Sequence, residues 1–362
     1  MASLDDLPLR DDLVGRVPYG APQLDVPVRL NVNENAFPIA DVVIADVVAS
    51  VREAIAGVHR YPDREFTELR EAFAGYLGHG LTAESIWAAN GSNEVLQHVL
   101  QAFGGPGRSL LSFAPTYSMY PLLAQGVGAT YVAEPRADDF TLDAATVVAA
   151  IERHDPDIVF LCAPNNPTGT ALSLDVIEAA CEAARGMVLV DEAYAEFAHD
   201  RAQTALALLP RFERLIVSRT MSKAFAYAGV RVGYLAADPA VVDALRLVRL
   251  PYHLSALTQA AALAALRHAP TMLARVDELR VQRDRIVAEL AAMGFEPYAS
   301  DANFVLFGGL ADPHAAFDGM LADGVLIRDV GIPHTLRVTA GTPAETDAFL
   351  ASVARFAPSA RP

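Results

Sequence analysis

Cysteine is scarce in this chain of 362 residues, which contains only Cys162 and Cys181. The two are not spaced as a CxxC pair, so the sequence offers neither a disulfide framework nor a zinc site. The histidines are scattered along the chain, and no HExxH or similar spacing joins them. The sequence therefore predicts no metal centre.

Positive charge is also in short supply. Lys and Arg number 28 against 44 Asp and Glu, which gives a formal net charge of −16. Nucleic acids and anionic membranes need a basic face on the protein that binds them, so neither is expected as a partner. An anionic ligand would be repelled at long range, and local arginines would have to hold it.

Long hydrophobic runs are missing as well. No apolar stretch approaches the roughly 18 residues of a membrane span. The acidic N-terminal segment MASLDDLPLRDD lacks both the basic and the apolar region of a signal peptide. Apolar residues make up 52% of the chain, which predicts a well-packed globular protein. A length of 362 residues is enough for one large and one smaller domain. We expect it to be soluble and cytoplasmic.

Short apolar runs alternate with helical patterns through the middle of the chain. The runs cover residues 85–90, 109–113, 129–134, 157–163, 187–191, 214–218 and 230–236. Apolar strands of this length, alternating with helices such as 174–184, predict an α/β fold with a mainly parallel central sheet covered by helices on both faces. Ligands of such sheets bind at the carboxyl ends of the strands.

The two ends of the chain have a different character. Residues 1–30 carry four prolines and little periodicity, which is typical of an extended arm. A strand at 30–37 and helices at 41–57 and 65–78 follow the arm. Beyond 250, the pattern predicts helices at 254–269 and 270–294, strands at 302–309, 324–330 and 334–341, and a helix at 313–322. We therefore expect an N-terminal arm (1–30), a small α+β domain (31–62 and 251–362) and a large domain (63–250).

The apolar strand 215–217 ends in a polar loop that contains Thr220, Ser222 and Lys223. Two hydroxyls beside a lysine suit a phosphate placed next to a reactive amine. A lysine that is partly desolvated and close to other cations loses basicity and can attack a carbonyl group. Taken alone, the same stretch also fits an ordinary surface lysine that follows a strand.

Other strand ends carry residues of matching chemistry. Ser92 and Asn93 open a helix after the strand 85–90, where backbone amides bind anions. Tyr117 lies on a proline-bounded loop and could stack on a flat ring, and Asn166 lies in the rigid turn PNNPTG. Asp191 ends an apolar strand, so its buried carboxylate needs a cationic partner such as a ring nitrogen. Each residue alone is explained as well by capping, packing or turn formation.

Together with Arg231 at the next strand, these residues match the requirements of pyridoxal 5′-phosphate (PLP). The segments PNNPTG, DEAY, TMSKAF and GVRVGY, in this order and spacing, resemble the class-I/II aminotransferases of PLP fold type I. The segments RYPD, GSNEVL, APTYSMY and LRVTAGT resemble, more narrowly, the histidinol-phosphate aminotransferases. The resemblance spans nearly the whole chain, and it departs at Ala36, where the family often has proline.

The resemblance implies a role for each matching residue. Lys223 would link covalently to the PLP aldehyde and move the proton, Asp191 would keep the ring nitrogen protonated, and Tyr194 and Asn166 would hydrogen-bond the ring oxygen. Tyr117 would stack on the ring. The phosphate ligands would be Ser92, Asn93, Thr220, Ser222 and Arg231, with Tyr61 contributed by the second subunit of a homodimer.

The resemblance also implies the substrates, which would be histidinol phosphate and the pair glutamate/2-oxoglutarate. Arg337 would bind the α-carboxylate of glutamate. Arg328, with Tyr19 of the arm, would meet the substrate phosphate or the distal carboxylate, although a surface ion pair with Asp329 also explains Arg328. Asn166 would contact the substrate too.

Rival functions remain open from the sequence. An aromatic amino-acid aminotransferase on the same scaffold would differ only in pocket residues. A PLP-dependent decarboxylase of a phosphorylated amino acid would share most cofactor ligands. A serine hydrolase using Ser222 is disfavoured, because adjacent residues in an extended loop point apart and no GxSxG segment exists. His253 either lines the pocket or packs in the core.

Overall fold

The helices and strands of a computed structural model, which describes residues 3–18 and 20–358, follow the alternation seen in the sequence. The helices are α1 (Asp41–Ile55), α2 (Thr67–Leu77), α3 (Ser92–Phe103), α4 (Met119–Val127), α5 (Ala144–His154), α6 (Leu174–Ala183), α7 (Pro239–Val248), α8 (Ala256–Arg267), α9 (Ala269–Leu273), α10 (Val276–Ala292), α11 (Pro313–Ala322) and α12 (Pro343–Val353). The strands are β1 (Val28–Arg29), β2 (Ile86–Ala89), β3 (Ser109–Ala114), β4 (Thr130–Pro135), β5 (Ile158–Cys162), β6 (Met187–Asp191), β7 (Leu215–Thr220), β8 (Gly233–Ala237), β9 (Glu296–Pro297), β10 (Phe304–Gly308), β11 (Val325–Leu326) and β12 (Leu336–Thr339).

Seven strands form the central sheet in the order β2-β8-β7-β6-β5-β3-β4. Strand β8 pairs antiparallel with both of its neighbours, and the remaining pairs are parallel. Because β8 is antiparallel to both β2 and β7, these two strands run in the same direction. The carboxyl ends of β2, β5, β6 and β7 therefore meet at one edge of the sheet. The mainly parallel sheet predicted from the sequence is confirmed.

The middle strands are buried at every position, which requires cover on both faces of the sheet. All residues of β5, β6, β7 and β8 are buried. Their β-branched and aromatic side chains extend one core, which includes Phe160, Leu189 and Ile216. Continuous apolar strands of this kind are what a doubly covered sheet needs.

Two smaller sheets lie outside the central one. Strand β10 pairs antiparallel with β12 on one side and β9 on the other. Strand β1 pairs in parallel with β11. An isolated antiparallel bridge joins Arg328 to Arg337 of β12.

Three expected elements differ from the structure. The strand expected at 30–37 is replaced by β1 at Val28–Arg29, because the chain turns where Asn33 adopts a left-handed backbone conformation, with φ 58°. The single helix expected at 270–294 is divided into α9 and α10. The two residues between these helices are Ala274 and Arg275, and neither is a helix breaker. The guanidinium of Arg275 lies over the ring of Phe37, 5.1 Å from its centroid.

The strand expected at 324–330 is reduced to β11 at Val325–Leu326 and the isolated bridge at Arg328. The remaining elements start and end within a few residues of the predicted positions. Helices α1 and α11, for example, begin at Asp41 and Pro313 as expected. Within residues 3–18 and 20–358, none of the helices combines the length and the apolar character needed to span a membrane. The division into an arm, a small domain and a large domain stays a prediction.

Candidate active site

A cavity of about 480 Å³ opens at the shared carboxyl edge of the central sheet. The polar loops after β2, β5, β6 and β7 reach it, and so do the segments 31–34 and 328–330 from outside the sheet. The lining includes Asn31, Asn33, Glu34, Ser92, Asn93, Tyr117, Asn166, Asp191, Tyr194, Thr220, Ser222, Lys223, Arg231, Arg328 and Arg337. Residues far apart in the sequence therefore share one polar cavity.

One corner of the cavity is lined by groups that can donate hydrogen bonds to an anion. Ser92 and Asn93 begin helix α3, so backbone N–H groups and the positive end of the helix dipole face this corner. The guanidinium of Arg231 lies beside it and donates to Ser222 Oγ at 3.4 Å. The hydroxyl of Thr220 accepts a bond from the backbone N–H of Ser222 at 3.1 Å, which fixes the loop. Amides, hydroxyls and a guanidinium are the donors that bind phosphate.

Two glycines allow the close approach on which this corner depends. A Cβ atom at Gly233, the first residue of β8, would lie 2.2 Å from the backbone nitrogen of Ser92. A Cβ atom at Gly91, where φ is +91°, would lie 2.4 Å from Nη2 of Arg231. The start of α3 can therefore sit directly against β8 and the arginine only because these positions lack side chains.

Asp191 lies at the end of β6 and is 3% exposed. The hydroxyl of Tyr120 donates to its Oδ2 at 3.0 Å, and the hydroxyl of Ser218 donates to its Oδ1 at 3.2 Å. Burial raises the pKa of Asp191 to about 6, although these hydrogen bonds act to lower it. In the described part of the chain its partners are neutral donors, so a cation in the cavity would complete its environment.

Lys223 extends into the cavity from the loop after β7. Its Nζ donates to the carbonyl of Val32 at 2.9 Å and lies 6.0 Å from the centroid of the Tyr194 ring. Desolvation lowers the pKa of Lys223 to about 8, and the positive charges of Arg337 and Arg231 act in the same direction. Its amine is therefore partly neutral near physiological pH and able to attack a carbonyl.

Aromatic and amide side chains complete the walls. The hydroxyl of Tyr117 donates to Oδ1 of Asn93 at 3.1 Å, and its ring meets the ring of Tyr120 edge-on at 5.5 Å. The hydroxyl of Tyr194 accepts from Nδ2 of Asn33 at 2.9 Å and from Nδ2 of Asn166 at 3.4 Å. Burial raises the pKa of Tyr194, which keeps its phenol protonated.

Two arginines reach the cavity from segments outside the central sheet. Arg337 is 7% exposed, and it donates to Oδ1 of Asn166 at 2.6 Å and to the carbonyl of Asn31 at 2.9 Å. Its guanidinium also lies 5.0 Å from the centre of the Phe304 ring. Arg328 is half-buried and donates to the carbonyl of Gly20 at 3.4 Å. The pair offers a second anion site within the same cavity.

Residues 26–353 match the family model described as aminotransferase class I and II. The histidinol-phosphate aminotransferase of Paenarthrobacter aurescens strain TC1 is 65% identical, over 96% of this chain and 94% of that protein. That of Thermobifida fusca strain YX is 58% identical, over 96% of this chain and 95% of that protein. The chain belongs to the class I and II aminotransferases, in their histidinol-phosphate branch.

The aminotransferase is also similar to a solved structure. The histidinol-phosphate aminotransferase of Sinorhizobium meliloti, in complex with pyridoxal 5′-phosphate, superposes with a TM-score of 0.85 at 25% identity, covering 98% of this chain and 99% of that one. The expected PLP fold type I is therefore confirmed.

The residues of this aminotransferase fit PLP by their chemistry. An anion corner, a buried carboxylate whose described partners are all neutral, and a lysine of lowered pKa share one cavity. They match the phosphate, the ring nitrogen and the aldehyde of that cofactor. Among the described residues, no three His, Cys, Asp or Glu side chains are grouped so as to hold a metal ion.

Most of the site residues predicted from the sequence meet in this cavity. Its lining includes Ser92, Asn93, Tyr117, Asn166, Asp191, Tyr194, Thr220, Ser222, Lys223, Arg231, Arg328 and Arg337. Tyr61 does not line it; the side chain is 79% exposed and stacks on Tyr252, with ring centroids 4.4 Å apart. Tyr19 lies outside the described residues. His253 stacks on Trp87 at 5.4 Å and bonds the carbonyl of Ala88, so it is a packing residue.

The interpretation of the sequence missed several residues that contact the site. Tyr120 and Ser218 donate hydrogen bonds to Asp191, and Asn33 donates one to Tyr194. Tyr120 follows Tyr117 by three residues, and the turn between them, in which the N–H of Tyr120 donates to the carbonyl of Tyr117, brings their rings together. One signal in the sequence was overlooked: Lys223 is the only lysine in the chain. Asn33 and Ser218 had no comparable signal.

Proposed function

We propose that this aminotransferase binds PLP through Lys223 and transfers an amino group from L-histidinol phosphate to 2-oxoglutarate, giving imidazole acetol phosphate and L-glutamate. This is a reaction of histidine biosynthesis. One observation carries the proposal: the only lysine of the chain shares its cavity with an anion corner and with the arginines Arg328 and Arg337. The names of the similar proteins give the proposal its substrate.

The cofactor would be held by groups from several loops. Its phosphate would lie in the anion corner, bound by Ser92, Asn93, Thr220, Ser222 and Arg231. The carboxylate of Asp191 would pair with the ring nitrogen, and this pairing would give the buried acid its cation. Tyr117 would stack on the ring, and Tyr194 and Asn166 would bond the ring oxygen.

When bound, PLP supplies the electron sink that allows a proton to leave the α-carbon of an amino substrate. The residues of the chain would then transfer this proton. Lys223, whose pKa is lowered to about 8, would accept the proton and return it to a neighbouring carbon. Asp191 would stabilise the positive charge on the ring nitrogen during this transfer.

The two arginines would bind the anionic groups of both substrates in turn. Arg337 would bind the α-carboxylate of glutamate, which histidinol phosphate lacks. Arg328, together with Tyr19, would bind the phosphate of histidinol phosphate or the distal carboxylate of glutamate. A guanidinium presents paired N–H donors that match both kinds of oxyanion, so one pair can serve two substrates.

The active unit would be a homodimer in which Tyr61 reaches the PLP phosphate of the second subunit. Tyr61 and its stacking partner Tyr252 are both exposed, and so are Val58 and Leu250, which lie close to them in the sequence. Exposed large apolar side chains of this kind are typical of an association surface. Sedimentation or light scattering should give twice the mass of one chain, and Tyr61→Phe should weaken PLP binding without changing that mass.

A panel of substrates tests the proposed function. Purified protein saturated with PLP is assayed for amino transfer to 2-oxoglutarate from histidinol phosphate, phenylalanine and tyrosine. We expect kcat/KM to be highest for histidinol phosphate. A higher value for phenylalanine would favour an aromatic aminotransferase, and release of CO₂ without a keto-acid partner would favour a decarboxylase.

A further inference from the structure

The hydroxyl of Tyr194 has a defined hydrogen-bond direction. It accepts one bond from Nδ2 of Asn33 at 2.9 Å and another from Nδ2 of Asn166 at 3.4 Å. A phenol has one proton to donate. Because both amides donate to Tyr194, that proton is left for a third partner. Tyr194 lines the cavity, so a ligand bound there can accept this proton.

Strand β12 determines which way each amide faces. Nη1 of Arg337 donates to Oδ1 of Asn166 at 2.6 Å, and a guanidinium can only donate. The Asn166 amide nitrogen must therefore face Tyr194.

Thr339 orients the second amide in a similar way. Its hydroxyl accepts from the backbone N–H of Asn33 at 3.0 Å and donates to Oδ1 of the same residue at 3.1 Å. The amide nitrogen of Asn33 is thereby turned toward Tyr194. Arg337 and Thr339 are two residues apart on one strand, so they project from the same face of β12.

Asn33 is held firmly in this arrangement. It is 2% exposed and adopts a left-handed backbone, with φ 58°. Its carbonyl accepts a bond from Nδ2 of Asn303 at 3.1 Å. Asparagine and aspartate tolerate this backbone better than most other residues, so the position favours a short side chain with two polar atoms.

We infer that Asn33 and Thr339 are positioning residues that make the Tyr194 hydroxyl a hydrogen-bond donor toward the cavity, where it would bond the ring oxygen of PLP. The inference rests on the proposed function only in that PLP occupies the cavity; it does not depend on which amino substrate is used. Neither residue needs to touch the cofactor, because each acts through the direction of a hydrogen bond.

The direction can be reversed with little change of shape. In Asn33→Asp the ionised side chain can no longer donate a hydrogen bond. It would accept one from the Tyr194 hydroxyl, whose O–H would then point away from the cavity. The left-handed backbone accommodates both residues. Thr339→Val removes the hydroxyl that orients Asn33 and keeps the branched shape. Thr346→Val is the matched control, because the Thr346 hydroxyl is buried and has no hydrogen-bond partner among the described residues.

The test is a pH titration of the visible absorbance of the PLP-loaded proteins, together with the Kd of PLP for the cofactor-free proteins. A bond donated to the ring oxygen weakens its hold on the neighbouring proton of the Lys223 nitrogen. We expect the titration midpoint to rise by about one pH unit in Asn33→Asp and in Thr339→Val. We expect Thr346→Val to titrate like the unchanged protein.

The Tyr194→Phe background separates the effect of hydrogen-bond direction from the effect of the added charge. In Tyr194→Phe no hydroxyl remains to be oriented, so adding Thr339→Val should move the midpoint no further. Adding Asn33→Asp should move it by less than it does when Tyr194 is present, because only the new negative charge is left to act. Unchanged midpoints in both single variants would overturn the inference. So would a Thr339→Val shift that persists in the Tyr194→Phe background. Protein that binds no PLP and shows no visible band would instead refute the proposed function, and the inference with it.

Discussion

The backbones of Arg328 and Arg337 are joined by two hydrogen bonds. The N–H of Arg328 donates to the carbonyl of Arg337 at 2.9 Å, and the N–H of Arg337 donates to the carbonyl of Arg328 at 2.8 Å. Residues that exchange both bonds across an antiparallel pair project their side chains to the same side. Like charges in this relation repel, so an anion bound in the cavity would stabilise the pair.

Removal of Arg328 should therefore weaken the binding of phosphate-bearing substrate. We expect Arg328→Ala to lower kcat/KM for histidinol phosphate by tenfold or more, because hydrogen bonds to charged groups contribute about 1.5–3 kcal/mol. The effect should appear mainly in KM. Steady-state kinetics measures it, with the exposed Arg153→Ala on α5 as control. Equal kinetics for both variants would show that Arg328 does not bind substrate.

The single lysine permits an unambiguous labelling experiment. Reduction of the PLP-loaded protein with borohydride should attach one pyridoxyl group to Lys223, detected by peptide mass spectrometry. Lys223→Ala should carry no pyridoxyl group on any side chain, because no other lysine exists to compete. A colourless protein or an unmodified Lys223 peptide would disprove the covalent link.

Reactivity of the same amine should also depend on pH. The pKa of Lys223 lies near 8 rather than at the ordinary value of 10.5, so its neutral form becomes abundant as pH rises through 8. Cofactor-free protein should therefore react with amine reagents at Lys223 with a midpoint near pH 8. Bound PLP should protect it. A midpoint near 10.5 would show that the amine is not desolvated.

Asp191→Asn should stabilise the cofactor-free protein at neutral pH. The pKa of Asp191 is about 6 when folded and near 3.8 otherwise, so the folded state keeps a proton that the unfolded state loses between these values. Stability contributed by protonated Asp191 is full below pH 4 and is lost as pH rises through 6.

Asparagine cannot ionise and so avoids this loss. We expect a gain of up to about 3 kcal/mol in the free energy of unfolding above pH 6, vanishing below pH 4, as judged by denaturant titration. The same variant should lose aminotransferase activity. Equal stability of both proteins at pH 7.5 would contradict the burial of a carboxylate whose described partners are all neutral.

The bond from Tyr120 to Asp191 should matter for turnover. We expect Tyr120→Phe to lower kcat by about tenfold, because the carboxylate loses one of its two side-chain donors and its pKa rises further. Tyr234→Phe is the matched control: its ring is buried, and its hydroxyl has no hydrogen-bond partner among residues 3–18 and 20–358. A similar loss in both variants would indicate a packing effect only.

Gly233→Ala should damage the anion corner. The new methyl group would clash with the backbone of Ser92 and displace the start of α3, which costs about 1–3 kcal/mol. We expect the Kd of PLP to rise by tenfold or more. Gly75→Ala in α2 is the control, because a Cβ atom there meets nothing within 4 Å. It should be neutral or slightly stabilising.

Much of the central sheet could be predicted from the sequence, since strand type and strand ends are local properties. The segment Met187–Asp191 is apolar until its last residue, so both the strand and the acid at its end can be recognised from five residues of sequence. Parallel pairing then brings Asp191, Asn166 and Lys223 to one edge. The segment 30–37 was harder, because its polar residues are ordered by contacts with distant strands.

The sequence by itself determined the alternating α/β pattern, the chemistry at the strand ends and the single reactive amine. The tertiary structure alone decided which neutral residues orient them: Thr339 turns Asn33, and Tyr120 and Ser218 donate to Asp191. It also decided that Arg328 and Arg337 are paired. Asn33 and Thr339 are 306 positions apart. Local periodicity reports which face of an element is buried, whereas the direction of a hydrogen bond depends on which distant atom the folded chain places within 3 Å.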